Sequence, residues 1–109
     1  MPTTYKVLGQ SNPSATTATT LYTVPAATST IVSTITVCNQ AASAGTYRIA
    51  VRVAGAALAA SQYLAYDVSI PANATDTLTL GVTLAATDVV TVYASSANFS
   101  FSAFGSELS

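Results

Sequence analysis

Apolar residues recur along this chain with a period of two, in short runs broken by turn-forming clusters, and that pattern predicts strands. The clearest run is Tyr47–Val53. There Tyr47, Ile49, Val51 and Val53 alternate with Arg48, Ala50 and Arg52, which places both arginines on the face turned from the core. Thr30–Asn39 alternates as Ile31, Ser33, Ile35 and Val37 against Val32, Thr34, Thr36 and Cys38. Gln62–Ile70 is expected to turn Leu64, Tyr66, Val68 and Ile70 to the core side and Tyr63, Ala65, Asp67 and Ser69 to the other. Thr77–Leu84 is expected to send Leu78, Leu80, Val82 and Leu84 inward and leave its threonines outside. Further strands are predicted near Tyr5–Leu8, closed by Gly9, over Thr20–Val24, stopped by Pro25, over Val89–Ala94 and over Asn98–Phe104. Ala54–Ala60 tolerates a helix but is too short, with Gly55 inside it, for more than a single turn. Roughly eight strands at spacings of about 8–14 residues predict one all-β domain over residues 1–109, an antiparallel β-sandwich. Jelly-roll and immunoglobulin-like orders both accept that strand count.

Composition narrows the function. Of 109 residues, 50% are hydrophobic and 6% are charged, against roughly 25% charged in an average domain. Lys6, Arg48 and Arg52 face Asp67, Asp76, Asp88 and Glu107, for a net charge of −1. Three cations do not make the multi-phosphate footprint of a nucleic-acid binder, so no nucleic-acid partner is expected. With no His and one Cys, a zinc site of the usual kind has no ligand set, and no metal or other cofactor is expected. Thr and Ser interrupt every apolar stretch well short of the ~20 residues that span a bilayer, so no membrane partner is expected. The opening residues lack the pattern of a secretory signal, which leads to the expectation of a chain made in a cytoplasm and not exported by that route. A surface this poor in charge protects its sheet edges weakly and suits a subunit of a larger assembly.

No catalytic constellation emerges. Asp76 and Asp88 sit in turn-like contexts where Asp caps the backbone, and Glu107 falls in a tail after Phe104. Asp67 is placed to meet Arg48 or Arg52 across strands or across a subunit boundary. Cys38 lacks a histidine to activate it and is expected to be a buried structural thiol. There is no Gly-x-Ser-x-Gly elbow and no glycine-rich phosphate loop. Asn73-Ala-Thr and Asn98-Phe-Ser match the glycosylation acceptor pattern, which arises readily by chance in a Ser/Thr-rich chain. Among the aromatics, Tyr47 and Tyr66 fall on the core side of their strands. Tyr63 and Phe104 are the preferred interface residues, with Arg48, Arg52 and Asp67 as the charged interface candidates.

Tyr5-Lys-Val-Leu-Gly-Gln-Ser-Asn-Pro, Leu21-Tyr-Thr-Val-Pro, Tyr63-Leu-Ala-Tyr-Asp and Phe104-Gly-Ser-Glu together resemble small virion proteins of tailed bacteriophages, notably cyanophages. The resemblance covers nearly the whole chain and implies a particle component without fixing its place in the particle. It carries over no binding residues. The leading expectation is a non-enzymatic head decoration (cement) protein, a homo-oligomer bridging copies of the major capsid protein. A trimer would meet a local three-fold of the shell. The alternative places the same fold among the tail proteins, in a neck, baseplate or fibre-attachment role. A different class, a receptor- or glycan-binding module, would need exposed aromatics beside polar groups. An ice-binding face built on Thr34, Thr36, Thr75, Thr77 and Thr79 is remote for want of a regular repeat.

Overall fold

A computed structural model describes residues 3–109. They form eight strands: β1 (Thr3–Ser11), β2 (Thr19–Thr23), β3 (Ser29–Asn39), β4 (Gly45–Arg52), β5 (Tyr63–Ile70), β6 (Thr75–Leu84), β7 (Val89–Ala94) and β8 (Phe99–Leu108). Two antiparallel four-stranded sheets result, β1-β8-β3-β6 (sheet A) and β2-β7-β4-β5 (sheet B). The first strand pairs with the last, the second with the seventh, the third with the sixth and the fourth with the fifth. That is one long hairpin rolled on itself, the jelly-roll order, and it decides between the two orders open from strand count. The sheets pack face to face over a core that includes Val32, Ile35, Val37, Phe99 and Phe101 of sheet A and Tyr47, Ile49, Ile70, Val90 and Val92 of sheet B.

Simple alternation fails where bulges interrupt it. A row of them crosses sheet A at the level of Phe104. Leu8 is the extra residue of β1, Ser33 that of β3 against β8, and Leu80–Gly81 of β6 oppose Ser33. Each bulge resets which face the following residues take. On β3 the inward set is therefore Thr30 and Val32 before the bulge, then Ile35, Val37 and Asn39 after it. Ile31, expected with Ile35 and Val37, lies outside and is 41% exposed, and Leu80 is likewise exposed. Gly9, expected to close the first strand, lies inside β1, where it passes against the Leu21 carbonyl of sheet B.

Strand β5 carries two bulges. Leu64 is extra between the pairs Ala50–Tyr63 and Ile49–Ala65, and Tyr66 and Asp67 together oppose Arg48. Asp67 adopts the left-handed conformation this requires, with φ 50°, a region that Asp tolerates better than most residues. The two bulges overturn the expected core side. Ala65 packs against the core, whereas Leu64 and Tyr66 are exposed. Val53 also leaves the core face, because β4 ends at Arg52 and Val53–Gly55 forms a 3-10 turn.

Three other expectations are corrected. Glu107 is a residue of β8 and not of a tail, since pairing with β1 and β3 continues to Leu108. Asp76 lies within β6 and accepts a 2.9 Å bond from the buried Tyr47 hydroxyl of sheet B, so it ties the sheets together instead of capping a turn. Cys38 sits half-buried beside Thr75 and Ser100 on the outer face of sheet A and is not a core thiol. Asp88 does cap its turn, accepting from the Ala85 amide at 2.9 Å and from the Ala54 amide at 2.8 Å.

Candidate functional site

The outer face of sheet A gathers apolar side chains at one corner. Cross-strand partners share a face. The partners Tyr5–Ser106–Ile31 form one row across β1, β8 and β3, and Val7–Phe104 form the next. Tyr5 is 83% exposed and Val7 50%. Together with Ile31 and Phe104 they line a shallow depression. Phe104 was expected at an interface, whereas Tyr5, Val7 and Ile31 were not singled out. Only the bulges at Leu8 and Ser33 turn these side chains outward together, and a count of alternating positions carries no sign of them.

Beneath that corner, on the inner side, a polar cluster joins the two sheets. Lys6 Nζ lies 2.9 Å from Glu107 Oε1. The Tyr22 hydroxyl of β2 donates to Glu107 Oε2 and lies 2.8 Å from Thr30 Oγ1. The Tyr22 donor, helped by the Lys6 ammonium, holds the Glu107 carboxyl below its usual range. Burial, reinforced by the Glu107 carboxylate, pushes the Tyr22 phenol up to about 12. A depressed carboxylate stabilises the fold above its unfolded pKa and loses that contribution as pH falls through the folded value. Thermal melts from about pH 7 to pH 3 should therefore show a steeper acid-side loss for the unaltered protein than for Glu107→Gln below about pH 4.5. The substitution should cost about 1–2 kcal/mol at neutral pH. Parallel acid limbs for the two proteins would remove Glu107 from the inter-sheet tie.

The outer face of sheet B carries the charged candidates. Arg48 lies beside Tyr93 on β7 and opposite the Tyr66–Asp67 bulge of β5. Its Nε donates to Asp67 Oδ1 at 2.7 Å and its Nη2 to Asp67 Oδ2 at 3.2 Å. The guanidinium also lies 4.2 Å from the Tyr66 ring centroid and 4.3 Å from that of Tyr93. The bidentate partner raises the Arg48 pKa and lowers that of Asp67. The expected cross-strand ion pair is thus made within one chain. Arg52 takes no carboxylate. Its Nε donates to Thr91 Oγ1 at 3.0 Å and its Nη1 to the Ala56 carbonyl at 3.2 Å.

Tyr63, expected away from the core, pairs with Ala50 on this outer face and is half-buried. It meets Tyr66 edge to face, with centroids 4.9 Å apart. Beside the two rings, Leu58, Ala59 and Ala60 complete an open cleft of about 550 Å³. Four of the five sequence candidates, Arg48, Arg52, Tyr63 and Asp67, therefore belong to sheet B, and Phe104 lies alone on the other sheet. Tyr66 and Tyr93 went unrecognised: one was assigned to the core through the unforeseen bulge, and the other carried no signal beyond being aromatic.

Among the described residues no three His, Cys, Asp or Glu side chains come together. No family model matches the chain, nor does any curated protein or solved structure.

Proposed function

We propose that this chain is a structural subunit of a tailed-phage particle, a head decoration protein that docks on the major capsid protein through the apolar corner of sheet A. The observation that carries the reading is that corner: Tyr5, Val7 and Ile31 exposed, with Phe104 half-buried beside them, in a chain that is 6% charged. The resemblance of its sequence phrases to small phage virion proteins supports the same reading. The mechanism is burial of apolar area at roughly 25 cal/mol per Å², with no chemical step. Four side chains make only the centre of an interface, against about 800 Å² per partner in a standard one. One copy on its own would therefore hold weakly. A closed oligomer, a trimer on a local three-fold, converts the later contacts into intramolecular ones and multiplies the hold.

Immunogold labelling of intact particles with an antibody against this chain tests the location. Label over the head is expected. Label confined to the tail replaces the decoration reading with a tail role, and no label on any particle removes the virion reading altogether. The docking face has its own test. Tyr5→Glu and Phe104→Glu should each melt within a few degrees of the unaltered protein yet be missing from purified particles. Normal incorporation of both would clear the corner of any part in docking.

A further inference from the structure

We propose that the outer face of sheet B carries a second, independent site, a cleft beside Tyr63 and Tyr66 that takes a neutral carbohydrate ring. Tyr66 is 57% exposed, and an exposed tyrosine on an edge strand ordinarily wanders among rotamers. This one is buttressed. Arg48 lies over its ring at 4.2 Å, Tyr63 packs against it at 4.9 Å, and Asp67, its neighbour in the bulge, holds Arg48 by two bonds. Asp67 takes the left-handed φ of 50° that the two-residue bulge requires, and that bulge turns Tyr66 and Asp67 together toward Arg48. The fold therefore fixes an aromatic surface next to open space instead of burying it.

The chemistry of the cleft selects the ligand. Its volume of about 550 Å³ lies within the range of small-molecule sites. Its walls are the two phenol rings and Leu58, Ala59 and Ala60, so they offer apolar area with hydroxyl and main-chain polar groups at its margins. A pyranose matches both, with a C–H face for the ring and hydroxyls for the polar rim. Arg48 is paired with Asp67, and Arg52, which has no carboxylate partner, does not line the cleft and turns its Nε and Nη1 to Thr91 and the Ala56 carbonyl. No residue lining the cleft is charged, and the cation against Tyr66 is already paired with Asp67, so the complement is a neutral sugar. The two sites occupy opposite faces of the sandwich. A copy docked through sheet A would turn this cleft toward the medium, but the site stands without that reading.

Amide chemical-shift mapping on the purified full chain tests it, with cellobiose, maltose and diacetylchitobiose as probes up to about 50 mM, a range that captures millimolar affinity. Saturable shifts with at least one probe, confined to residues 57–67 and the neighbouring Arg48 and Tyr93, are expected. Tyr66→Ala should weaken binding by about tenfold or more, whereas Tyr66→Phe, which keeps the ring, should retain most of it. Arg48→Lys should fall between them, since a lysine keeps the charge but loses the bidentate hold on Asp67. No saturable shift with any probe overturns the proposal, as does binding indifferent to Tyr66→Ala in a protein whose amide spectrum shows it folded. A response to sialyllactose or to a proline-rich peptide, without one to the neutral sugars, overturns the ligand class.

Discussion

Gly105→Ala is expected to lose about 3 kcal/mol of stability or more, which is at or beyond the upper end for overpacking because the obstacle is main chain. Gly105 sits in β8 between Lys6 of β1 and Val32 of β3. A Cβ built there would collide with the Ile31 carbonyl oxygen and lie 3.0 Å from the carbonyl carbon and 3.1 Å from Val32 Cα. In a regular sheet a Cβ stands off the sheet and meets no neighbouring carbonyl. Here the extra residue Ser33 swings the β3 backbone against β8, and only a residue without a side chain fits. The obstacle cannot rotate away as a side chain would. Gly81 provides the contrast. Its φ is +64° but nothing lies within 4 Å of its missing Cβ, so Gly81→Ala should cost only the left-handed conformer, about 1 kcal/mol. Thermal melts followed by circular dichroism should place Gly105→Ala about 10–20 °C below the unaltered protein and Gly81→Ala only a few degrees below. Equal, small shifts for both would mean that β3 and β8 are not held at this separation.

The sandwich was legible because its signal is redundant. Eight short β-forming runs survive errors in any one of them, and Tyr47, Ile49 and Val51 or Val89–Val92 are hard to place anywhere but in a sheet. Strand order was not legible, since alternation says which face a residue takes and nothing about its neighbours in the sheet. The bulges were the larger loss. A period-two count propagates its phase, so one unseen insertion at Ser33 or at Asp67 misplaces the residues on one side of it, as happened to Ile31, Leu64 and Tyr66. Glycine misled for a related reason. Gly9 and Gly105 were read as strand ends, but they serve close backbone approach inside strands. Meanwhile Thr16, Ala27 and Thr87 take the left-handed positions of the turns, where a glycine would have announced them. Of the candidate sites, the Arg48–Asp67 pair was readable because opposite charges on adjacent outward positions attract whichever register forms. The Tyr66 platform and the sheet A corner were not, because both are products of bulges. Asn39 escaped notice as well. It is fully buried, its amide donates to the Ser43 and Pro71 carbonyls, and it joins the β3–β4 loop to the β5–β6 turn.

Phe101→Ala is the second large effect, an expected loss of about 3–5 kcal/mol. Phe101 is fully buried near the start of β8, flanked by Ser11 and Val37 on the neighbouring strands. It meets Phe99 at 6.4 Å in a stacked pair and Tyr47 at 6.3 Å edge to face, contacts that add to area burial. Tyr47 comes from sheet B and its hydroxyl reaches back to Asp76 of sheet A. Phe101 therefore supports a side chain that links the sheets both by packing and by a hydrogen bond. A domain of this size has only about 5–15 kcal/mol in total, so the truncated protein should be marginal and unfold at low urea. Tyrosine fluorescence can follow the transition, since the chain has no Trp. Tyr47→Phe keeps the ring and leaves only the Asp76 carboxylate short of a partner, a smaller loss of about 1–3 kcal/mol. Because Phe101 and the Tyr47 hydroxyl act on the same inter-sheet tie, the double variant should lose less than the sum of the two. Strict additivity would mean that the aromatic cluster and the Tyr47–Asp76 bond hold the sheets independently. In either case Phe101→Ala acts through the core that both outer faces share. It should remove the sheet A corner and the sheet B cleft in one cooperative step, whereas Tyr5→Glu and Tyr66→Ala should each silence one face and leave the other intact.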